Sequence, residues 1–356
     1  MSGGRDERHE DESQQRAQAS GALEVDAASD AAAQRARDQH QGPAMSGSES
    51  GAPVSAEARR LSARRAARYQ ELARKEAEHW SGVTSGPETP QIWDDPVLQE
   101  IFFGAEERRF MARAMQSGLR VLELGCGEGE LATELARAGM RVTAIDLSAA
   151  RIQAARSRAT EVGPRFTVGN LDIMPLPDGP FDCVIAHDSL HHIVELDRLL
   201  VEVERVLRPG GRLLVADFCG MVPPARALSA LMYALLPTHM SYARKWGLRR
   251  RLPAFLASER QKRVALARGR GEALHESSPF EGISQESIVP SIARRFEILE
   301  HRTFLPFWWY LVAKLRLGGL RQPVAHLFRR WDDGLLRLGV PGAYFVLEAR
   351  RRDGTR

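Results

Sequence analysis

The run Val121-Leu122-Glu123-Leu124-Gly125-Cys126-Gly127-Glu128-Gly129 sets one carboxylate inside an otherwise apolar stretch that ends in alternating glycines. An unpaired buried carboxylate is costly, so Glu123 asks for a partner with positive charge or several donors. The glycines suit a sharp turn at which a ligand approaches bare backbone. Further on, Val142-Thr143-Ala144-Ile145-Asp146 ends in a second acid, followed by Leu147 and the helix-capping type Ser148. An acid at that point can accept both hydroxyls of a ribose, in a dinucleotide or in another nucleoside. The dinucleotide fingerprint would need glycine at 130, where this chain has Glu130. Glu128 and Glu130 would also oppose a pyrophosphate, so an uncharged or cationic ligand fits better.

Two later groups extend the set. In Gly169-Asn170-Leu171-Asp172, either Asn170 or Asp172 can accept from an exocyclic amine while the Leu171 N–H faces a ring nitrogen. In His187-Asp188-Ser189-Leu190-His191-His192, an imidazole that titrates near neutral pH can take a proton. His187 or His191 is the candidate base, with Asp188 to orient it; the alternative is that the histidines only cap or pack. No metal is expected, because adjacent His191 and His192 should diverge and no further ligands stand at metal spacing. Cys126 has no base fixed beside it and is read as packing. With Cys183 and Cys219 it forms no CxxC pair, which fits buried free thiols better than disulfides.

These residues need elements to hold them. From residue 119 strand-like runs (120–124, 141–146, 165–168, 182–186, 212–218) alternate with helical patterns (131–138, 149–160, 194–207). That alternation predicts βαβ units, and ligands in such sheets sit at the carboxyl ends of the strands. Each candidate above directly follows a strand.

The segments VLELGCGEG, AIDLS, VGNLDIMPLPDGPFDCV, HDSLHHI and RVLRPGG, in this order, resemble the class I S-adenosylmethionine-dependent methyltransferases of the small-molecule branch. The resemblance covers about residues 119–218. It implies an α/β fold, a Rossmann-like three-layer αβα sandwich with a seven-stranded, mostly parallel sheet and an antiparallel last strand. It implies S-adenosyl-L-methionine as cofactor, with Glu123, Gly125, Cys126 and Gly127 at its methionine part. Asp146 and Leu147 would then lie at the ribose, Asn170, Leu171 and Asp172 at the adenine, and His187 near the methyl. Asn170 departs from the aspartate that many relatives carry there, which leaves the adenine amine to Asn170 or Asp172.

Outside that core, residues 1–54 are polar and poor in large apolar side chains and read as a disordered tail. Residues 55–117 form a helical segment with Ser55 as N-cap, 118–219 the cofactor-binding core, 220–291 a helical lid insertion, and 292–350 the completing strands and helices. The lid carries an apolar helix at 227–236 and a basic run including Arg249, Arg250, Arg251, Arg268 and Arg270. Its loop His275-Glu276-Ser277-Ser278-Pro279-Phe280-Glu281 offers secondary candidates that could close over an acceptor. The aromatic stretch Phe304-Leu305-Pro306-Phe307-Trp308-Trp309-Tyr310-Leu311 could line the acceptor pocket, pack on the lid or dip into a lipid interface.

The expected function is methyl transfer, chiefly O-methylation, to a small-molecule or lipid-like acceptor. The alternatives are a nucleic-acid methyltransferase and a non-catalytic S-adenosylmethionine-binding partner. Nucleic acid is disfavoured because Ala186-His187-Asp188-Ser189 is not an Asn/Asp-Pro-Pro-aromatic motif. Peripheral membrane contact through the aromatic and basic C-terminal half remains open. Free thiols, a polar N-terminus and no bilayer-length apolar run make cytoplasmic the expected location, while the net charge of +4 is diagnostic of nothing alone.

Overall fold

The computed structural model describes residues 56–82, 90–116, 118, 120–159, 163–247, 256–267 and 278–352, with side chains from 64 onward. The chain divides into two compact units, 1–59 and 60–356. Everything below concerns the second. The expected tail, the Ser55 cap, Arg249, Arg250, Arg251, Arg268, Arg270, and His275 to Ser277 lie outside the described residues.

Helix α1 (Ala56–Ser81) comes first, followed by α2 (Pro96–Phe102) and α3 (Gly104–Ala114). The last two helices meet at Phe103, whose ring sits edge-on to Tyr344 at 5.0 Å. The sheet then builds from β1 (Arg120–Leu124), α4 (Glu130–Arg137), β2 (Arg141–Asp146), α5 (Ala149–Arg158), β3 (Arg165–Val168), β4 (Phe181–His187), α6 (Leu196–Val206) and β5 (Leu207–Phe218). After α7 (Pro223–Leu235), α8 (Tyr242–Gly247), α9 (Glu259–Ala267) and α10 (Ile288–Arg295) come β6 (Phe296–Phe304), α11 (Trp309–Val312), α12 (Arg321–Arg337) and β7 (Tyr344–Arg351).

The seven strands lie in the order β3-β2-β1-β4-β5-β7-β6. β1 to β5 are parallel, and β7 runs antiparallel between β5 and β6. The central strands are buried on both faces, as parallel strands covered by helices must be. Alternate residues serve opposite layers. Val121, Cys183, Ile185 and Leu214 join a core with Phe110 of α3, Leu135 of α4 and Ile152 of α5. Leu122, Leu124, Val184, Leu213 and Val215 join another with Leu199 and Val203 of α6 and Ile292 of α10. The period of two along each strand therefore produces the three layers. At its β6 edge the sheet carries Glu297, Glu300 and Arg302, charges that blunt an exposed edge.

One boundary differs from expectation. Arg208-Pro209-Gly210-Gly211, between the expected helix (194–207) and strand (212–218), lies inside β5. Leu207 already pairs with Phe181, and the register shifts before Cys183 meets Arg212. Leu207 and Phe181 are both buried, and Arg208 Nε donates to Asp182 Oδ1 at 2.7 Å, so the irregular stretch is anchored at both ends.

The aromatic stretch turns inward. Leu305, Phe307, Trp309 and Leu311 are buried, and Trp308 stacks on Phe328 with ring centroids 4.2 Å apart. It packs into the core, because burying such large rings contributes more than exposing them. No helix among the described residues is long and apolar enough to cross a membrane.

Candidate functional site at the carboxyl ends of the strands

The register sets the candidates along one rim of the sheet. Leu124 pairs with Ile145 and Ala186, Asp146 with Val168, and His187 with Ala216. Gly125 (φ +72), Gly127 (φ +54) and Gly129 (φ +77) all have left-handed backbone. A Cβ at Gly125 would lie 2.4 Å from the Ser189 Cβ, and one at Gly129 would lie 2.5 Å from the Phe166 ring. These positions therefore need glycine for both conformation and space.

Asp146 pins the turn: its Oδ2 accepts the Gly127 N–H at 2.9 Å and its Oδ1 the Ser148 N–H at 2.8 Å. Each carboxylate oxygen can still accept another donor, which leaves capacity for ribose hydroxyls. Leu147 is half-buried beside it. Glu123 is 3 % exposed, and its Oε2 is buried without a hydrogen-bond partner among the described residues. Burial, helped by the Asp146 charge and opposed by His187, pushes its carboxyl up to about 8. An orphaned acid at the glycine turn is what a cationic or donor-rich cofactor would complete, so the residues present fit S-adenosylmethionine. Cys126 is buried, and burial raises its thiol far above the usual range, which leaves it unreactive.

At the third strand the structure separates Asn170 from Asp172. Asp172 is 4 % exposed; Oδ1 accepts the Glu195 N–H at 2.7 Å and Oδ2 the Tyr69 hydroxyl at 2.7 Å. It ties α1 and α6 to this loop, whereas half-buried Asn170 accepts from Tyr69 at 3.1 Å and from the Asp172 N–H at 3.0 Å through the same Oδ1. Asn170 is the more exposed of the two, and with its Oδ1 accepting twice it offers only its amide NH2 to an adenine edge. The Leu171 side chain is buried in the core below.

At the fourth strand, His187 Nε2 lies 3.0 Å from Glu107 Oε1 of α3, and Nδ1 lies 3.8 Å from Asp188 Oδ2. Burial works against its charge, but the Glu107 hydrogen bond and the charges of Asp188, Glu107 and Glu123 prevail and push it up to about 10. His187 is thus held as a cation. Asp188 has φ +47, an uncommon conformation for a non-glycine residue, and its N–H donates to Ala216 O at 2.8 Å. The carboxylate of Asp188 is half-exposed at the rim.

His191 is buried, with Nδ1 2.5 Å from Asp217 Oδ1 at the end of β5. Burial opposes its charge, and the Asp217 carboxylate overcomes this, raising the imidazole to about 9. Asp217 also accepts the Leu190 and Phe218 N–H groups at 2.8 and 2.7 Å. His191 and His192 do not diverge, contrary to expectation. The tight turn Leu190–His192 sets their ring centroids 4.1 Å apart at 42°. His192 Nδ1 is 3.0 Å from Glu76 Oε1 of α1, off the line of a good hydrogen bond, so that contact is chiefly electrostatic. Glu76 also accepts from Trp80 Nε1 at 2.8 Å, Ser278 Oγ at 2.9 Å and the Phe280 N–H at 3.0 Å.

The wall around this corner is aromatic. Phe218 lies 6.2 Å edge-on to His191 and 5.1 Å from Tyr344, while Trp309 lies 5.0 Å from Tyr344. Sequence reasoning missed Tyr69, Glu76, Glu107, Asp217 and Tyr344. Asp217 alone carried a legible signal, because Leu213-Leu214-Val215-Ala216-Asp217 ends an apolar run in an acid as the second strand does.

Residues 122–215 match the family described as a methyltransferase domain. The segment is a class I S-adenosylmethionine-dependent methyltransferase domain. The 27-O-demethylrifamycin SV methyltransferase of Amycolatopsis mediterranei is 37 % identical over 145 residues, 39 % of this chain and 53 % of that protein. The fatty-acid O-methyltransferase of Mycolicibacterium smegmatis is 42 % identical over 108 residues, 30 % of this chain and 39 % of that protein. The chain thus spans about half the length, or less, of these relatives. A solved S-adenosylmethionine-dependent methyltransferase from Mesorhizobium loti aligns over 69 % of this chain and 98 % of its own with TM-score 0.41 and 20 % identity.

Proposed function

We propose that this chain transfers the methyl group of S-adenosylmethionine to a hydroxyl of a small, largely apolar acceptor by in-line displacement. The observation that carries this reading is the buried, unpartnered Glu123 Oε2 above the glycine turn, beside the acid that holds the turn. A cation bound there would satisfy it. The named relatives, which methylate a rifamycin precursor and fatty acids, support the small-molecule class. The rings of Phe218, Trp309 and Tyr344 favour an acceptor with an apolar body.

The cofactor brings the methyl already attached to a good leaving group, so the protein mainly aligns donor and acceptor. Glu123, Asp146 and Asn170 would hold it at its methionine, ribose and adenine parts. His187, clamped by Glu107 and Asp188, keeps its proton and serves the electrostatics of the methyl end. The acceptor oxygen is assigned to the corner of His191, His192 and Glu281, and its proton passes to solvent as the O–CH₃ bond forms.

Calorimetry with S-adenosylhomocysteine should show one site per chain. Incubation with a labelled methyl donor and separate small-molecule, lipid and RNA extracts should label the small-molecule or lipid fraction. Absence of cofactor binding, or label confined to RNA, overturns the reading.

A further inference from the structure

His191 and His192 share a pattern that methyl transfer alone does not require. Each presents Nδ1 to a buried carboxylate, Asp217 at 2.5 Å and Glu76 at 3.0 Å. Each turns Nε2 toward the same third carboxylate, 3.8 Å from Glu281 Oε1 and 3.7 Å from Glu281 Oε2. One ligand atom from each of the three residues lies within 4.8 Å of the others.

From this juxtaposition we propose that His191, His192 and Glu281 form a facial binding site for one first-row divalent transition ion, such as Zn²⁺. Metal-binding histidines characteristically give the second ring nitrogen to a carboxylate; His191 makes this bond to Asp217, and His192 has the Glu76 charge 3.0 Å from its Nδ1. Ligand bonds of about 2.0–2.2 Å at facial angles put two ligands of one ion roughly 2.8 to 3.6 Å apart, so these side chains need to close by about an ångström. Charge points the same way. Asp217, Glu76 and Glu281 set three carboxylates around two imidazoles, an excess of negative charge in a corner where Glu76, Asp217 and His191 are buried. Two imidazole nitrogens with one oxygen suit a transition ion and disfavour Mg²⁺ or Ca²⁺. The Trp80 and Phe218 rings, edge-on to His192 and His191 at 5.2 and 6.2 Å, flank the site.

The role of the ion, though not its binding, rests on the proposed function. An acceptor hydroxyl would occupy an open coordination position, and the ion would lower its pKa. The O–H bond breaks with its proton leaving to solvent. The O–CH₃ bond then forms as the S–CH₃ bond breaks, leaving S-adenosylhomocysteine.

The test is a Co²⁺ titration of the full chain after EDTA stripping, followed by visible absorption and competed with Zn²⁺. One equivalent of Co²⁺ per chain with ligand-field bands is expected, displaced by Zn²⁺. Glu281→Gln and His192→Gln should each weaken Co²⁺ binding at least about tenfold while keeping S-adenosylhomocysteine affinity by calorimetry. If His192→Gln does not fold, Glu281→Gln, in the loop after residue 277, carries the comparison. No stoichiometric Co²⁺, or binding unchanged in the folded variants, overturns the site. Stoichiometric Co²⁺ without cofactor binding would instead leave the site standing and reject the methyl-transfer reading.

Discussion

The two ends of the site are built in different ways. The cofactor end is local: Glu123, Gly125, Gly127, Asp146 and Asn170 lie at the carboxyl ends of three adjacent strands, β1, β2 and β3. The proposed acceptor end is assembled from far apart: Glu76 from α1, Glu107 from α3, His187 and His191 at and after the end of β4, Asp217 at the end of β5, and Glu281 from the loop before α10. The first is set by backbone geometry and tolerates few substitutions. The second is held by side-chain charges from several elements, which makes it adjustable to different acceptors.

The largest effect should come from the local end. Asp146→Ala frees the Gly127 and Ser148 N–H groups and removes the ribose acceptor, so S-adenosylhomocysteine affinity should fall by more than about 100-fold in calorimetry. Retained affinity would break the idea that one acid organises that end. At the assembled end, His191→Ala should leave cofactor affinity within about twofold and cut turnover by about 100-fold. Equal losses of binding and turnover would dissolve the distinction between the two ends.

Titration sharpens the contrast further. Glu123 is raised from its ordinary 4.5 to about 8, so the folded state favours its protonated form. That contribution to stability is fully present below 4.5 and is lost as pH rises through 8. The melting temperature of the cofactor-free protein should therefore fall across this window, and Glu123→Gln should flatten the fall. What remains between pH 6.5 and 9 belongs in part to His191, whose raised value stabilises the fold below 6.5 and ceases to do so above 9. The smallest effect should be Tyr69→Phe, which unties α1 from Asp172 and Asn170. It should lower stability by about 1–3 kcal/mol in denaturant melts and raise the KM for the cofactor a few-fold.

The sheet, its order of strands and helices and the identity of the cofactor were readable in the chain, because those signals are short-range. An apolar run, a glycine turn and a terminal acid fall within a few residues of one another at each strand end. Asp217 obeys that rule and was missed only because its strand looked purely structural. Tyr69, Glu76 and Glu107 had no such mark, since nothing near a helical glutamate says which distant histidine it will face. The notion that His191 and His192 point apart failed for a related reason. The tight turn Leu190–His192 and the two carboxylates that grip the rings decide their direction, and neither is visible from adjacency.

By itself, then, the sequence determined that a nucleoside-bearing cofactor without a pyrophosphate at the first turn would lie on a parallel sheet. Side-chain period, left-handed glycines and strand-end acids act within one or two turns of chain. Tertiary structure alone decided that His187 is clamped as a cation, that Asp172 is spent on Tyr69 and Glu195, and that two histidines converge on Glu281. Those outcomes depend on burial and on charges brought together across more than one hundred residues, as from Glu76 to His192, and the fold must form before they exist.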